Sequence, residues 1–207
     1  MIKIEKVDVW GFEHAVRGMR NPLNSWERSD STFEPVEIGQ KDHDLMTRLS
    51  RGGSPHRKFF RQIMVSLDIT APLYWWKEFD TYKVGTTANS CSTMHTIQKN
   101  EFTMDDFSVD HLDAVTKQYM EAVINSLNIN RQKFLDSKDK KYWWNMIQLL
   151  PTSFNQKRTV TMNYENLLNI LEYRKGHKLD EWNIFCDWIM SLPYSDLLEA
   201  GLHHEQG

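Results

Sequence analysis

Residues 149–188 read LLPTSFNQKRTVTMNYENLLNILEYRKGHKLDEWNIFCDW, and the order of elements they encode decides the fold. Pro151 ends the helical pattern before it, because the residue preceding a proline avoids the helical region. The polar run 152–162 predicts a strand or extended link. Asn163 then stands where its side-chain oxygen can accept from the backbone of a first helical turn. In the helix that follows, Leu167, Ile170, Leu171 and Arg174 fall on one side. A turn at Gly176-His177 leads to another apolar helix from about Leu179.

Upstream, residues 71–95 read APLYWWKEFDTYKVGTTANSCSTMH, an apolar opening that gives way to small polar residues. Pro72 suits a first helical turn, so a helix is expected from about Pro72 to Lys83. After it, Lys83, Gly85, Thr86, Thr87, Asn89, Ser90 and Ser92 supply a cation with closely spaced hydroxyl and amide groups. Such groups hold phosphates and planar heterocycles. The plainer reading is a buried helix followed by a polar loop.

Farther out, residues 2–10 alternate as a half-buried strand does. The stretch 17–44 is rich in turn residues and reads as a long loop, with Asn21-Pro22, Pro35 and Gly39 interrupting any helical pattern. A short helix over 44–50 ends at Gly52-Gly53, a turn delivers His56, and residues 59–70 read as a strand. Residues 110–128 carry Leu112, Val115, Tyr119, Ala122, Val123 and Leu127 on one predicted helix face. A charged loop over 136–141 precedes a helix that Pro151 closes, and a flexible tail is expected from about residue 200. These elements make one α+β domain of 207 residues, with strands near the front and helices dominating the back.

A net charge of -3, from 25 basic and 28 acidic residues, argues against a chain that coats long nucleic acid. Any nucleotide it binds is expected to be small. The basic run Lys138–Lys141 is interrupted by Asp139, so a solvated patch is favoured there over a nucleic-acid surface. Cys91 and Cys186 are too few for a disulfide framework and lack zinc-site spacing, which fits a reducing cytoplasm. His203-His204 would bind a metal only with outside ligands. No run of about eighteen apolar residues is present, so no membrane partner is expected. Eight tryptophans and ten phenylalanines point to core and subunit contacts.

The second half of the chain resembles the C-terminal core of flavin-dependent thymidylate synthases. Leu150-Pro151, Asn163, Asn169, Arg174 and His177 appear in the order which that family shows. The first half is similar over residues 52–95, with a glycine turn, His56, a strand, Ala71-Pro72 and the polar loop. The family signature there reads Arg-His-Arg-x-x-Ser-x-Asn-Glu-x-Ser-x-Arg-Tyr. This chain has Thr81-Tyr82-Lys83-x-x-Thr86-x-Ala88-Asn89-x-Cys91-x-Thr93-Met94, and one inserted residue sets Asn89, Ser90 and Ser92 against Asn, Glu and Ser. The Arg-Gln pair before the signature becomes Lys77-Glu78, and an Arg before the Leu-Pro, which serves the substrate phosphate, becomes Ile147.

The resemblance implies a thymidylate-synthase-complementing-protein-like fold, a small antiparallel sheet packed with several helices. It implies methylation of dUMP, or modification of a related pyrimidine nucleotide, with carbon from methylenetetrahydrofolate and hydride from FAD that NADPH reduces. A homotetramer with ligands between subunits is expected as well. Arg174 takes the catalytic place and, with Lys77, Glu78, Ser90, Cys91 and Ser92, the substrate site. His56, Lys83, Thr86, Asn89, Asn163, Asn169 and His177 take the cofactor site.

Bland readings stand beside several of these roles. Asn163 is explained as a helix cap, Arg174 as a C-terminal cation that favours the helix dipole, and His56 or His177 as an ordinary satisfied histidine. Cys91 could be reactive beside Lys83, though no base is paired with it, and Cys186 reads as core. Ile147, Thr81 and Ala88 favour a second class of function, a non-catalytic nucleotide-binding or assembly protein that keeps the fold.

Overall fold

The computed structural model describes residues 2–203. In chain order its elements are β1 (Lys3–Trp10), α1 (Phe12–Arg20), β2 (Thr32–Phe33), β3 (Val36–Glu37) and α2 (Gln40–Arg51). They continue with β4 (Met64–Pro72), α3 (Leu73–Phe79), β5 (Thr87–Ser90) and α4 (Thr93–Thr96). The chain then forms α5 (Ala114–Ser137), α6 (Lys140–Leu149), β6 (Asn155–Asn163), α7 (Tyr164–Arg174), α8 (Asp180–Met190) and α9 (Asp196–Leu202). The main sheet has the order β1-β4-β6-β5, and β2 with β3 makes a separate hairpin. Strands β4 and β6 run antiparallel, since Tyr164, just after β6, donates to the Ile63 carbonyl just before β4, while Leu73, just after β4, donates to the Phe154 carbonyl just before β6.

Two compact units share these strands along their length. The first comprises residues 2–4, 69–81 and 89–159, the second residues 5–68, 82–88 and 160–203. In the first unit α5 and α6 enclose a core of Ile97, Phe102, Phe107, Met120, Ile124, Leu127 and Met146. Trp75, Trp76 and Phe79 of α3 are buried and interlock, with ring centroids 4.9–5.2 Å apart. Burying such rings supplies much of a small core's stability. Trp76 satisfies its indole N–H on the Gln156 carbonyl at 2.9 Å, so it can be buried without an orphaned donor.

The second unit is built on α7 and α8. Tyr164, Leu167, Leu168, Leu171, Trp182 and Phe185 are all buried, and Phe60 and Phe12 pack their rings against Tyr164. Arg20 and Asp42 form a buried ion pair, and the Ser29 and Ser31 hydroxyls donate to the same carboxylate at 2.6 and 2.7 Å. Burial pushes the Asp42 carboxyl up, but the donors from Ser29, Ser31 and Arg20 and the Arg20 charge more than offset it. The group titrates below the usual carboxylate range.

Several boundaries differ from the sequence reading. The expected loop over 17–44 is occupied at both ends, by α1 up to Arg20 and by α2 from Gln40, and Asp42 ties down the segment between them. The strand expected from residue 59 begins at Met64, because residues 58–62 form a 3-10 turn that buries Phe59 and Phe60. Helix α3 ends at Phe79, not Lys83. The charged loop at 136–141 shrinks because α5 continues to Ser137 and Asp139 caps α6. Buried Ala200 and Gly201 belong to α9, so the expected tail does not begin there. Its last part, from His204 on, lies outside the described residues.

Candidate functional site

In the second unit, residues 82–88 are held against α7. Gly85 has φ +74°, and a Cβ there would lie 3.0 Å from Asn166 Oδ1 and 3.2 Å from Asn163 Nδ2. Only glycine accepts that conformation without strain, and it also allows the close approach. Asn166 Nδ2 donates to the Val84 carbonyl at 2.6 Å, which seats the loop. Asn163 and Asn166 also form a reciprocal cap, each side-chain oxygen accepting the other's backbone N–H at 3.1 Å. Asn163 therefore does the capping work expected of it. Lys83 is exposed, while the Thr86 hydroxyl is buried with no hydrogen-bond partner among the described residues.

At the other end of α7, Arg174 is fixed from several directions. Its Nε donates to the Tyr82 hydroxyl at 2.9 Å, and its guanidinium carbon lies 4.7 Å from the Trp182 ring centroid and 5.5 Å from that of Tyr82. Nη1 lies 3.3 Å from His177 Nε2. The Leu179 N–H approaches the other ring nitrogen of His177 at 3.1 Å, and the His177 carbonyl accepts from Asn183. A neutral imidazole offers a single acceptor nitrogen, so the Arg174 and Leu179 donors compete for it. Asn169 is half-buried and makes no side-chain hydrogen bond to any described residue. Mid-helix asparagine has poor propensity, so nothing local accounts for it. Cys186, buried on α8, has its thiol pushed up to about 11 by burial, with Asp187 adding to the effect.

His56 is exposed and lines a cavity of about 580 Å³ with Arg48, Lys58, Phe59 and Gln62, among others; none of the other predicted site residues lines it.

In the first unit, Ser90 and Ser92 line a cavity of about 440 Å³ with Thr93, Ile147, Gln156 and Arg158 among its other walls. Cys91, between the two serines, is exposed and lines a different cavity of about 370 Å³ beside Lys157. Asn89 is exposed on β5, and Lys77 projects from α3 as an exposed cation beside half-buried Glu78. Sequence reasoning missed Tyr82, Asn166 and Arg158. Strand alternation was the available signal for the last: Gln156 and Arg158 share one face of β6, and both reach the cavity. No group of three or more His, Cys, Asp or Glu among the described residues is placed to hold a metal ion. No helix there is long and apolar enough to cross a membrane.

No family model matches the chain. No curated protein matches it in sequence. Solved structures do match. Flavin-dependent thymidylate synthase ThyX from Helicobacter pylori, complexed with FAD and dUMP, superposes with a TM-score of 0.70 at 17% identity, over 95% of this chain and 98% of that one. The UMP/dUMP methylase PolB from Streptomyces cacaoi, bound with 5-Br UMP, gives a TM-score of 0.66 at 14% identity, over 98% and 92%. The chain has the fold of flavin-dependent thymidylate synthases, an α+β arrangement with a small antiparallel sheet.

Proposed function

We propose that the protein is a divergent flavin-dependent pyrimidine-nucleotide methylase that converts dUMP to dTMP. On this reading FAD is its cofactor, methylenetetrahydrofolate and NADPH are co-substrates, and a cytoplasmic homotetramer is the working form. The observation that carries the reading is the setting of Arg174. Its guanidinium is held by the Tyr82 hydroxyl and the faces of Tyr82 and Trp182, in a fold shared with proteins crystallised with FAD and dUMP. A surface cation serving only the helix dipole needs no such support.

A guanidinium fixed in this way stabilises negative charge on pyrimidine carbonyl oxygens, which makes carbon 5 nucleophilic without an enzyme nucleophile. The orphaned Thr86 hydroxyl fits a bound polar ligand, since a buried hydroxyl without a partner is costly. Thr86, Lys83, Asn89, Asn169, His56 and His177 are the residues that would hold FAD, while Asn163 orders the helix beneath the Gly85 loop. Bound flavin supplies the hydride chemistry; the chain supplies binding and orientation. Lys77, Glu78, Ser90, Cys91 and Ser92 complete the proposed substrate set. The exposed apolar side chains Val115, Tyr119 and Ile129 of α5 support burial between subunits.

The test is the visible spectrum of the purified protein before and after addition of FAD, followed by NADPH oxidation with and without dUMP. A flavin band and dUMP-dependent oxidation support the methylase. A protein that stays colourless with added FAD overturns it. A second reading, a nucleotide-binding protein without turnover, is favoured by Ile147, an apolar side chain in the cavity of Ser90 and Ser92. Binding of dUMP with no dTMP formed would support that alternative.

A further inference from the structure

The first unit's cavity of about 440 Å³, which Ser90 and Ser92 line, also holds a cation, Arg158, that the roles assigned so far leave unused. Its walls are Leu73, Met94, Ile147 and Leu150 on the apolar side, with Ser90, Ser92, Thr93, Gln156 and Arg158 supplying the polar groups. Among these, Arg158 alone carries a charge. Three hydroxyls and one guanidinium line a common space and form a donor set suited to phosphate oxygens, while the Gln156 amide is already committed to the Cys91 carbonyl, the Thr93 hydroxyl and Arg158.

Arg158 is held in a defined pose. Nη1 donates to Asp80 Oδ1 at 2.7 Å, Nε donates to Gln156 Oε1 at 3.0 Å, and the guanidinium carbon lies 4.2 Å from the Trp76 ring centroid. The side chain is only 14% exposed, whereas that of Asp80 is 51% exposed. Nη2 makes no hydrogen bond to any described residue. The arginine thus keeps a donor for a ligand, on a planar group that needs little further ordering.

We propose that Arg158 holds the phosphate monoester of the pyrimidine nucleotide in this cavity, with Ser90 and Ser92 as hydroxyl donors. The proposal rests on the nucleotide reading above. Asp80 competes with the phosphate for the same guanidinium, so it moderates affinity and keeps the cation oriented when no nucleotide is bound. If instead the Arg158–Asp80 pair only ties α3 to β6, neither residue bears on which ligand is chosen.

Calorimetric titration of the full chain, supplied with FAD, compares dUMP with deoxyuridine, which differs only by the phosphate. The wild-type protein is expected to prefer dUMP by about tenfold to a hundredfold, the range of one good charge-assisted contact. Arg158→Gln should lose most of that preference while binding deoxyuridine as before. Asp80→Asn keeps the cation and should bind dUMP severalfold more tightly, with deoxyuridine unchanged. That second variant decides the matter if Arg158→Gln does not fold. An Arg158→Gln protein that retains the full preference, or an Asp80→Asn protein with unaltered dUMP affinity, overturns the role of Arg158. A wild-type protein that binds neither compound overturns the nucleotide reading itself, and this proposal with it.

Discussion

The Nε of Arg174 donates to the Tyr82 hydroxyl at 2.9 Å, across 92 residues of sequence. The bond joins the last turn of α7 to the start of the polar loop and fixes the guanidinium plane. Arg174→Ala is expected to lower dUMP-dependent turnover about a hundredfold to a thousandfold, as loss of a charge-stabilising donor does. Tyr82→Phe keeps the ring beneath the guanidinium and removes only the hydroxyl, so a loss of about tenfold is expected. Both proteins should melt close to wild type. Turnover that survives Arg174→Ala would remove the residue from its assigned role.

Asn163 caps α7 and faces Gly85, and the two roles separate by substitution. Asn163→Ala should cost about 1 kcal/mol, lowering the melting temperature by about 2–4 °C. Asn163→Asp keeps an acceptor for the Asn166 N–H and should restore most of that stability. Equal losses in the two variants, measured by thermal melts, would show that the amide nitrogen matters and not the cap.

How far the fold could be read in advance depended on whether a single periodicity governed each stretch. β1, the capped helix α7, the turn at Gly176 and α8 follow one period each and lie close to where the residues placed them. Helix α1 buries Phe12, Ala15, Val16 and Met19 at helical spacing, but Gly18 and the Asn21-Pro22 step after it resemble a turn. In α5 two apolar rows satisfy helical spacing. The row with Val115 and Tyr119 lies in solvent, and the row with Met120, Ile124 and Leu127 is buried, a choice that only the facing helix makes. Arg174 stood out in the sequence through the resemblance, in the order of Leu150-Pro151, the capping Asn163 and the arginine that ends the helix. Its partner Tyr82 did not, nor did Arg158 with Asp80, because these pairs are made by chain segments 92 and 78 residues apart.

Gly85 should tolerate no side chain. Its φ of +74° costs a residue with a Cβ about 1–2 kcal/mol, and the added carbon would press on Asn166 Oδ1 at 3.0 Å. Gly85→Ala should therefore lower stability by at least that amount in chemical denaturation and weaken flavin binding through the displaced loop. Unchanged stability would show that the loop relaxes away from α7 at no cost.

Asp42 is fully buried against Arg20, and Asp42→Asn leaves a buried cation without its counter-charge. Removing one member of such a pair costs about 3–5 kcal/mol. The pH dependence follows from the lowered titration of Asp42 in the folded state. In the unfolded chain the carboxyl takes up its proton near the ordinary value of about 3.9. Stability is thus fully present above that value and is lost as pH falls through the lower folded one. Acid melts of the wild-type protein should steepen below about pH 4, and Asp42→Asn should flatten that slope.

The two cysteines should differ in reactivity. Cys91 is exposed, whereas Cys186 is buried and its thiol is raised to about 11. A thiol reagent at pH 8 should modify one residue per chain quickly, and Cys91→Ser should remove that fast phase. Cys186 should react only in denaturant, because its nucleophilic thiolate is suppressed and shielded. In the unfolded chain a thiol ionises near about 8.5, well before Cys186 does in the folded one. The unfolded state therefore loses its proton first, and the contribution of Cys186 to stability declines as pH rises from about 9 towards 11. Cys186→Ala should reduce that alkaline decline. Two rapidly reacting thiols in the native protein would show that α8 opens to solvent and that the burial of Cys186 does not protect it.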